Sequence, residues 1–406
     1  MSHSVEHVLI VGAGLAGLRT AEELRRAGYT GELTLLGDEN RAPYDRPPLS
    51  KQYVRGETDD TVLRPAEFFT EQHIRLRLGV AATGVDTAAR RVRLSDGSEA
   101  GYDALVIATG LRPRRIPGLP EVSGVHMLRS HADAHALREH LGSARKAVIV
   151  GAGFIGCELA ASFRSRGLAV TIVEPQPTPL FAALGEQVGA LVARLHETEG
   201  VELRCGIGVE SLVTEDNSVL AAEDDTVRGV RLTDGSVIEA DLVVIGIGSV
   251  PVTGWLDDSG IPLAAPAEGG GVLTDDTGRT SVPGVWALGD VAAWPHASGR
   301  NKRVEHWTNA GEQAQLLAAA LLGADRPTEV QVPYVWSDQY DVKIQVLGIP
   351  ALADEVQIVE DKGRKFLAHY LRGGELVAVA GASMAGKVMK ARAQLAATLR
   401  PSATVG

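Results

Sequence analysis

The stretches VLIVGAGLAG (Val8–Gly17) and AVIVGAGFIG (Ala147–Gly156) decide the fold. Each runs an apolar segment straight into a Gly-x-Gly-x-x-Gly turn: Gly12, Gly14 and Gly17, then Gly151, Gly153 and Gly156. In such a turn the first glycine permits the tight bend and the second lets a pyrophosphate approach the backbone. The third lets the helix pack close to the strand, with the phosphate at the helix N-terminus. One such motif is weak evidence. Here each copy is followed by a helical pattern, a second strand and an acid at its end, Asp38 or Glu39 first and Glu174 second. The doubling predicts two dinucleotide sites, and two dinucleotides in one chain point to a flavin and a nicotinamide exchanging electrons.

Composition agrees and sets limits. A chain of 406 residues has room for two or three domains. Its hydrophobic content of 45% suits a compact core, and no apolar run reaches the roughly 18 residues of a membrane span. MSHSVEHVLI leads almost directly into the first strand, so no signal peptide is expected. Cys157 and Cys205 are the only cysteines, which predicts no disulfide framework and a reducing cytoplasmic setting. A net charge of −11 argues against nucleic acid as a partner. These readings describe a soluble, acidic, intracellular α/β enzyme.

The two halves read as a duplication. RVRLSDGSEAGYDALVIATG and VRGVRLTDGSVIEADLVVIGIG each predict a hairpin turned at Asp-Gly, at Asp96-Gly97 and Asp234-Gly235. A buried strand follows each, one delivering Ala108, Thr109 and Gly110, the other Gly246 and Gly248. The linker LRPRRIPGLP then leads into the second nucleotide domain. SVPGVWALGDVA predicts a strand ending at Gly289-Asp290, where a helix is expected to begin and the chain returns to its first domain. The stretch from Ala264 to Gly278 reads as loop. From about Pro327 several short strands and an Ala-rich helix form a third domain.

With these motifs in view, the chain resembles the pyridine-nucleotide-disulfide reductase superfamily. NRAPYDRPPLSKQYVRGE (Asn40–Glu57) and VPYVWSDQYDVKIQVLG (Val332–Gly348) narrow the resemblance. Both are similar to segments of the FAD-dependent ferredoxin reductases of bacterial oxygenase systems, the putidaredoxin reductase and biphenyl dioxygenase reductase type. Apoptosis-inducing factor shares the architecture. The resemblance covers essentially the whole chain. It implies two Rossmann-like domains, for FAD and NAD, and a C-terminal α+β domain, a glutathione-reductase-like arrangement. The implied division is 1–112 and 244–326 for the two parts of the FAD domain, 113–243 for the NAD domain, and 327–406 for the reductase domain. The disulfide reductases carry a redox-active cysteine early in the first domain. The corresponding stretch here, Arg41 to Lys51, has none. Cys157, just inside the second fingerprint's helix, reads as a small buried hydrophobe, so a dithiol mechanism is not expected.

The amides around Gly12, Ala13, Gly14, Leu15 and Ala16 would hold the FAD pyrophosphate. Asp38 or Glu39 would accept the adenosine ribose hydroxyls, Asp38 being the stronger choice. The resemblance places Arg46 and Lys51 of RPPLSK against the flavin. Lys51 would stand near N5 and O4, where a cation stabilises reduced flavin. It sets the Ala82 backbone by the adenine and reaches Arg129 back to the FAD. Asp290 would meet the ribityl chain or pyrophosphate, at the start of a helix whose dipole faces the ring. Glu305, His306 and Trp307 would lie at the flavin, and Trp336 beside the ring and nicotinamide pocket. Around the second fingerprint, Gly153, Phe154, Ile155 and Gly156 would line the NAD pyrophosphate turn, with Gly248 a further backbone approach. Glu158 would face the nicotinamide and pair with Lys51. Glu174 would accept both ribose hydroxyls of NAD and repel a 2′-phosphate, with no cation in Pro175 to Thr178 to offset it, which favours NADH.

The expected activity is ferredoxin–NAD⁺ reductase. FAD accepts hydride from NADH and passes electrons singly to a two-iron, two-sulfur ferredoxin, and so indirectly to a terminal oxygenase. A rubredoxin reductase and a redox-sensing flavoprotein like apoptosis-inducing factor are the alternatives. Arg300, Lys302, Arg303, Lys343, Lys387, Lys390 and Arg392 are expected to form a basic rim for an acidic ferredoxin. A monomer is expected, with no metal site.

Overall fold

The computed structural model describes residues 5–119, 122–215, 225–297, 299–325 and 331–399. Two five-stranded parallel sheets carry the two fingerprints. The first runs in the order Val285–Ala287, Ala104–Ile107, His7–Val11, Glu32–Leu36, Arg75–Arg77. The second repeats it as Val125–His126, Leu242–Ile245, Lys146–Val150, Ala169–Glu174, Glu202–Cys205. The outer strand differs in origin. In the second sheet it precedes the fingerprint, whereas in the first it arrives from far downstream, after the second domain has been made. Both central strands are buried on both faces, as apolar runs in a doubly wound sheet must be.

Small antiparallel sheets flank each half: 82–86, 91–94 and 99–101, then 209–214, 227–232 and 237–239. Their Asp-Gly turns form as expected, with Gly97 at φ +80° and Gly235 at φ +84°. Leu111–Pro113 pairs antiparallel with Ser249–Pro251, so a two-stranded ribbon carries the chain out to the second nucleotide domain and back. The boundary expected at 243/244 falls inside the strand Leu242–Ile245, because the chain leaves the second sheet only after that strand is complete.

Two expectations are corrected here. Gly289 (φ +71°) turns the chain into a three-residue 3₁₀ turn, Gly289–Val291, and Ala292–Pro295 continues as a strand rather than a helix. The long helix of this region is Trp307–Leu322. The stretch 264–278 contains a 3₁₀ turn, Pro266–Glu268, and a short strand, Val272–Leu273.

The C-terminal sheet is antiparallel, in the order Tyr334–Gln339, Val342–Gly348, Glu375–Ala382, Lys365–Arg372, Glu355–Lys362. Two short helices, Ala385–Lys390 and Arg392–Thr398, follow where one was expected. This sheet shares a core with the second nucleotide domain: Phe366 and Tyr370 pack in one cluster with Phe163, Leu184 and Ile149. Among the described residues no helix is long and apolar enough to cross a membrane.

Candidate functional site

The glycines of the two fingerprints separate by what a β-carbon would meet. At Gly12 it would strike the Ala108 carbonyl oxygen at 2.2 Å, and at Gly151 that of Gly246 at 2.4 Å. At Gly17 and Gly156 it would strike the carbonyl oxygen of the first glycine, at 2.0 and 2.1 Å. Packing therefore explains the first and third glycines. At Gly14 and Gly153 a β-carbon meets nothing within 4 Å, although each begins a 12-residue helix. Packing gives no reason for glycine there. A group laid against the helix N-terminus does.

The first turn opens on a cavity of about 310 Å³. Gly12 to Ala16 head it, with Asp38 and Glu39 at one side and Ala108, Thr109 and Gly110 beneath. Phe154, Ile155 and Glu158, from the second fingerprint's helix, wall the same space. The second nucleotide turn is thus aimed at the first cavity. Gly153, Glu174 and Gly248 lie around that second turn, outside the cavity lining. Gly248 sits at φ +95° with nothing near its α-carbon's open side. Both oxygens of Glu174 accept backbone N–H groups, from Ala152 at 2.7 Å and Gln176 at 2.9 Å.

Lys51 and Glu158 meet across the domains, Nζ to Oε2 at 2.8 Å, both side chains only 6% exposed. Ser50 Oγ donates to the same oxygen at 2.5 Å and Ser337 Oγ to the other at 2.8 Å. A buried ion pair persists only where its remaining lone pairs are satisfied, and Glu158 meets that condition with three partners. Arg46 donates to the Arg129 carbonyl and to Glu39, whose carboxylate also accepts from Tyr44 OH. Glu39 is therefore committed within the protein, while Asp38 is exposed at the cavity edge. Arg129 approaches Asp290 at 3.7 Å, and its Nε has no hydrogen-bond partner among the described residues. Burial pushes the Asp290 carboxyl above the usual range, against the pull of Arg129.

The uncapped N-terminus of Trp307–Leu322 takes the place of the helix expected at Asp290. His306 is its N-cap, no side chain caps it, and His306, Trp307 and Ala310 line the cavity. Its first-turn N–H groups favour negative charge there. Gly289 N–H is held by Gln313 of this helix at 2.7 Å. Trp307 donates to Asp45 at 2.8 Å, and its ring meets that of Trp336 edge-on at 6.1 Å. Tyr334 stacks on Trp336 at 5.8 Å. Glu305 lines the cavity and is held by Ser249 and Arg303.

Ala82 lies outside the cavity lining, at the start of its strand and packed against the first core. Cys157 is fully buried and bonded to the Ala152 carbonyl, and burial pushes its thiol far up. Of the residues expected in a basic rim, one is withdrawn from the surface and three have carboxylate partners. Arg303 is only 9% exposed and is used inside the protein, donating to the carbonyls of Asp290 and Gly269. Arg300, Lys343 and Lys387 carry the carboxylates of Glu268, Asp338 and Glu360. Sequence reasoning missed Tyr44, Asp45, Ser50, Gln313 and Ser337. Ser337 and Gln339 stand two apart in WSDQYD, a spacing that puts both on one strand face.

Comparison with known proteins identifies the family. Residues 6–314 match the family model described as pyridine nucleotide-disulphide oxidoreductase, and residues 334–405 the one described as reductase C-terminal. A probable ferredoxin reductase of Castellaniella defragrans is 37% identical over 92% of this chain and 90% of its own. Rhodocoxin reductase of Rhodococcus erythropolis is 38% identical over 86% and 79%. The crystal structure of a covalent putidaredoxin reductase–putidaredoxin complex contains a chain that superposes with a TM-score of 0.90. It is 30% identical, covering 97% of this chain and 93% of that one. The chain belongs to the pyridine nucleotide-disulphide oxidoreductase family and carries that family's reductase-type C-terminal domain.

Proposed function

We propose that this chain is an FAD-dependent NADH:ferredoxin oxidoreductase that feeds a bacterial oxygenase. The observation that carries the reading is the pair of open glycine turns whose helices converge on one cavity, with Lys51 and Glu158 between them. The residues fit both cofactors: a β-carbon on either middle glycine would project into open space at the helix N-terminus, where a pyrophosphate would approach. When bound, FAD would take a hydride from NADH and release the electrons singly to a protein acceptor.

The chain's own work is holding and electrostatics. Amides of residues 13–16 and the helix dipole hold the FAD pyrophosphate, Asp38 the ribose, and Arg129 and Asp290 the middle of the molecule. Lys51 supplies a buried cation where negative charge develops, and Glu158 keeps it aimed. Trp307 and Trp336 close the cavity and exclude water. Glu174, fixed by two backbone N–H groups, meets the NAD ribose hydroxyls and repels a 2′-phosphate. Cys157 takes no part, since no thiolate forms there. We assign the FAD domain to 1–112 and 246–326, the NAD domain to 113–245 and the reductase domain to 327–406. The chain works as a cytoplasmic monomer, its acceptor a two-iron, two-sulfur ferredoxin. The redox partners named for the relatives, a ferredoxin and putidaredoxin, support a protein acceptor of the ferredoxin kind.

Stopped-flow absorbance on the purified protein tests the reading. Mixed anaerobically with NADH and then with a panel of ferredoxins, the flavin should bleach fast and recover as ferredoxin is reduced. NADPH should be less efficient by about tenfold or more. Bleaching into a long-lived charge-transfer species that no ferredoxin discharges would favour a redox sensor. Purified protein without flavin would overturn the assignment.

A further inference from the structure

We infer that Gln339 and His196 are positioning residues for the Lys51–Glu158 pair, acting through Ser337 as a one-way chain of hydrogen bonds that ends on Glu158 Oε1 and fixes that side chain against Lys51. The inference rests on the role given to that pair above. The links are continuous. Tyr340 OH lies 2.8 Å from His196 Nδ1, and His196 Nε2 lies 3.1 Å from Gln339 Oε1. Gln339 Nε2 reaches Ser337 Oγ at 3.2 Å, and Ser337 Oγ reaches Glu158 Oε1 at 2.8 Å.

Chemistry fixes the direction of every link. An amide oxygen only accepts, so His196 Nε2 must carry the proton. Burial holds His196 down, to about 4, so the ring is neutral and Nδ1 accepts from Tyr340. The amide Nε2 only donates, so Ser337 receives it and points its single hydrogen at Glu158. All donors therefore point along the chain toward Glu158 Oε1. Ser337, Gln339 and His196 are each 0% exposed. Apolar side chains would pack this strand face without the penalty of buried polar atoms, so packing alone does not account for the set. Four parts of the fold contribute: the helix Phe154–Ser165 that carries Glu158, the helix Phe181–Thr198, the hairpin at Tyr340 (φ +58°) and the Ser50–Lys51 turn. Lys51 is the cation on Glu158. Glu199, Arg164, Arg364 and Cys157 are the charged and titratable groups around Tyr340.

The test is anaerobic single-turnover reduction of bound flavin by NADH. Gln339→Leu should slow it about tenfold, because nothing then holds the Ser337 hydrogen on Glu158 and Lys51 is no longer aimed. Glu158→Gln should also be slow, and adding Gln339→Leu to it should change nothing. His196→Leu should reproduce the loss, whereas His196→Gln, which restores a donor to Gln339, should not. An unchanged rate in both Leu variants would overturn the chain. So would an equal loss of rate with and without Glu158, the mark of a merely structural effect. A parent protein that NADH does not reduce would instead sink the reductase reading.

Discussion

At Gly14, φ −89° and ψ −165° are values that any residue adopts, and a β-carbon there meets no atom within 4 Å. Gly12, at φ +119° with the Ala108 carbonyl 2.2 Å from its would-be β-carbon, is constrained by backbone and packing together. The two positions therefore separate ligand binding from folding. Gly12→Ala should cost about 2–4 kcal/mol from strain and overlap. Gly14→Ala should shift the stability of flavin-stripped protein by no more than about 0.5 kcal/mol. It should still purify with less flavin, because the added methyl stands where the pyrophosphate would approach. Urea midpoints of stripped protein, beside the flavin-to-protein absorbance ratio, check both. If Gly14→Ala destabilised the stripped protein as much as Gly12→Ala, the middle glycine would be structural and the cradle argument would fail.

The helix Phe181–Thr198 shows how one element is locked by another. Gly185, at φ +73°, breaks its hydrogen-bond ladder, and the Leu184 carbonyl left beside the break accepts from Tyr370 OH at 2.8 Å. Tyr370 comes from the C-terminal sheet and is buried. Tyr370→Phe should lower stability by about 1–2 kcal/mol, the effect of leaving a buried carbonyl unpaired. An unchanged urea midpoint would mean that the hydroxyl contributes nothing to the docking. The glycine spacing, the Asp-Gly hairpins and the buried parallel strands were legible because each is a local pattern with one structural solution. Elements set by distant contacts were not. Val291 to Trp294 carries no helix stop ahead of Pro295, but Gly289 turns the chain and the Ala292–Pro295 segment pairs with Val272–Leu273 and Asn301–Lys302. The alternation of Trp336, Ser337, Asp338 and Gln339 says that two faces differ. It does not say which is buried, and here the Ser337–Gln339 face is the covered one. His196 could not be joined to that face from sequence, since its neighbours lie about 140 residues away.

Three domains that share cores bury titratable groups that a looser assembly would leave in water. Burial holds His126 and His196 down to about 4. His126 also faces His140 at 3.0 Å across the edge of the second sheet. In the unfolded chain both histidines take a proton near pH 6.5. Between about 6.5 and 4 the unfolded state therefore binds more protons than the folded one. Stability is full above that window and falls as pH drops through it, by up to about 1.4 kcal/mol per pH unit for each histidine. Glu312 acts in the opposite sense. Burial raises it to about 7, so the folded state gains a proton first and offsets roughly one histidine. Neutralising carboxylates also relieves the net charge of −11, which again favours the compact state on acidification. The decisive reading is therefore a difference. Between pH 7 and pH 5, unfolding free energy from urea titrations should fall more steeply in the parent than in His126→Gln, by about one proton's worth of slope. Parallel lines for the two proteins would mean that His126 titrates alike in both states and that burial does not hold it neutral.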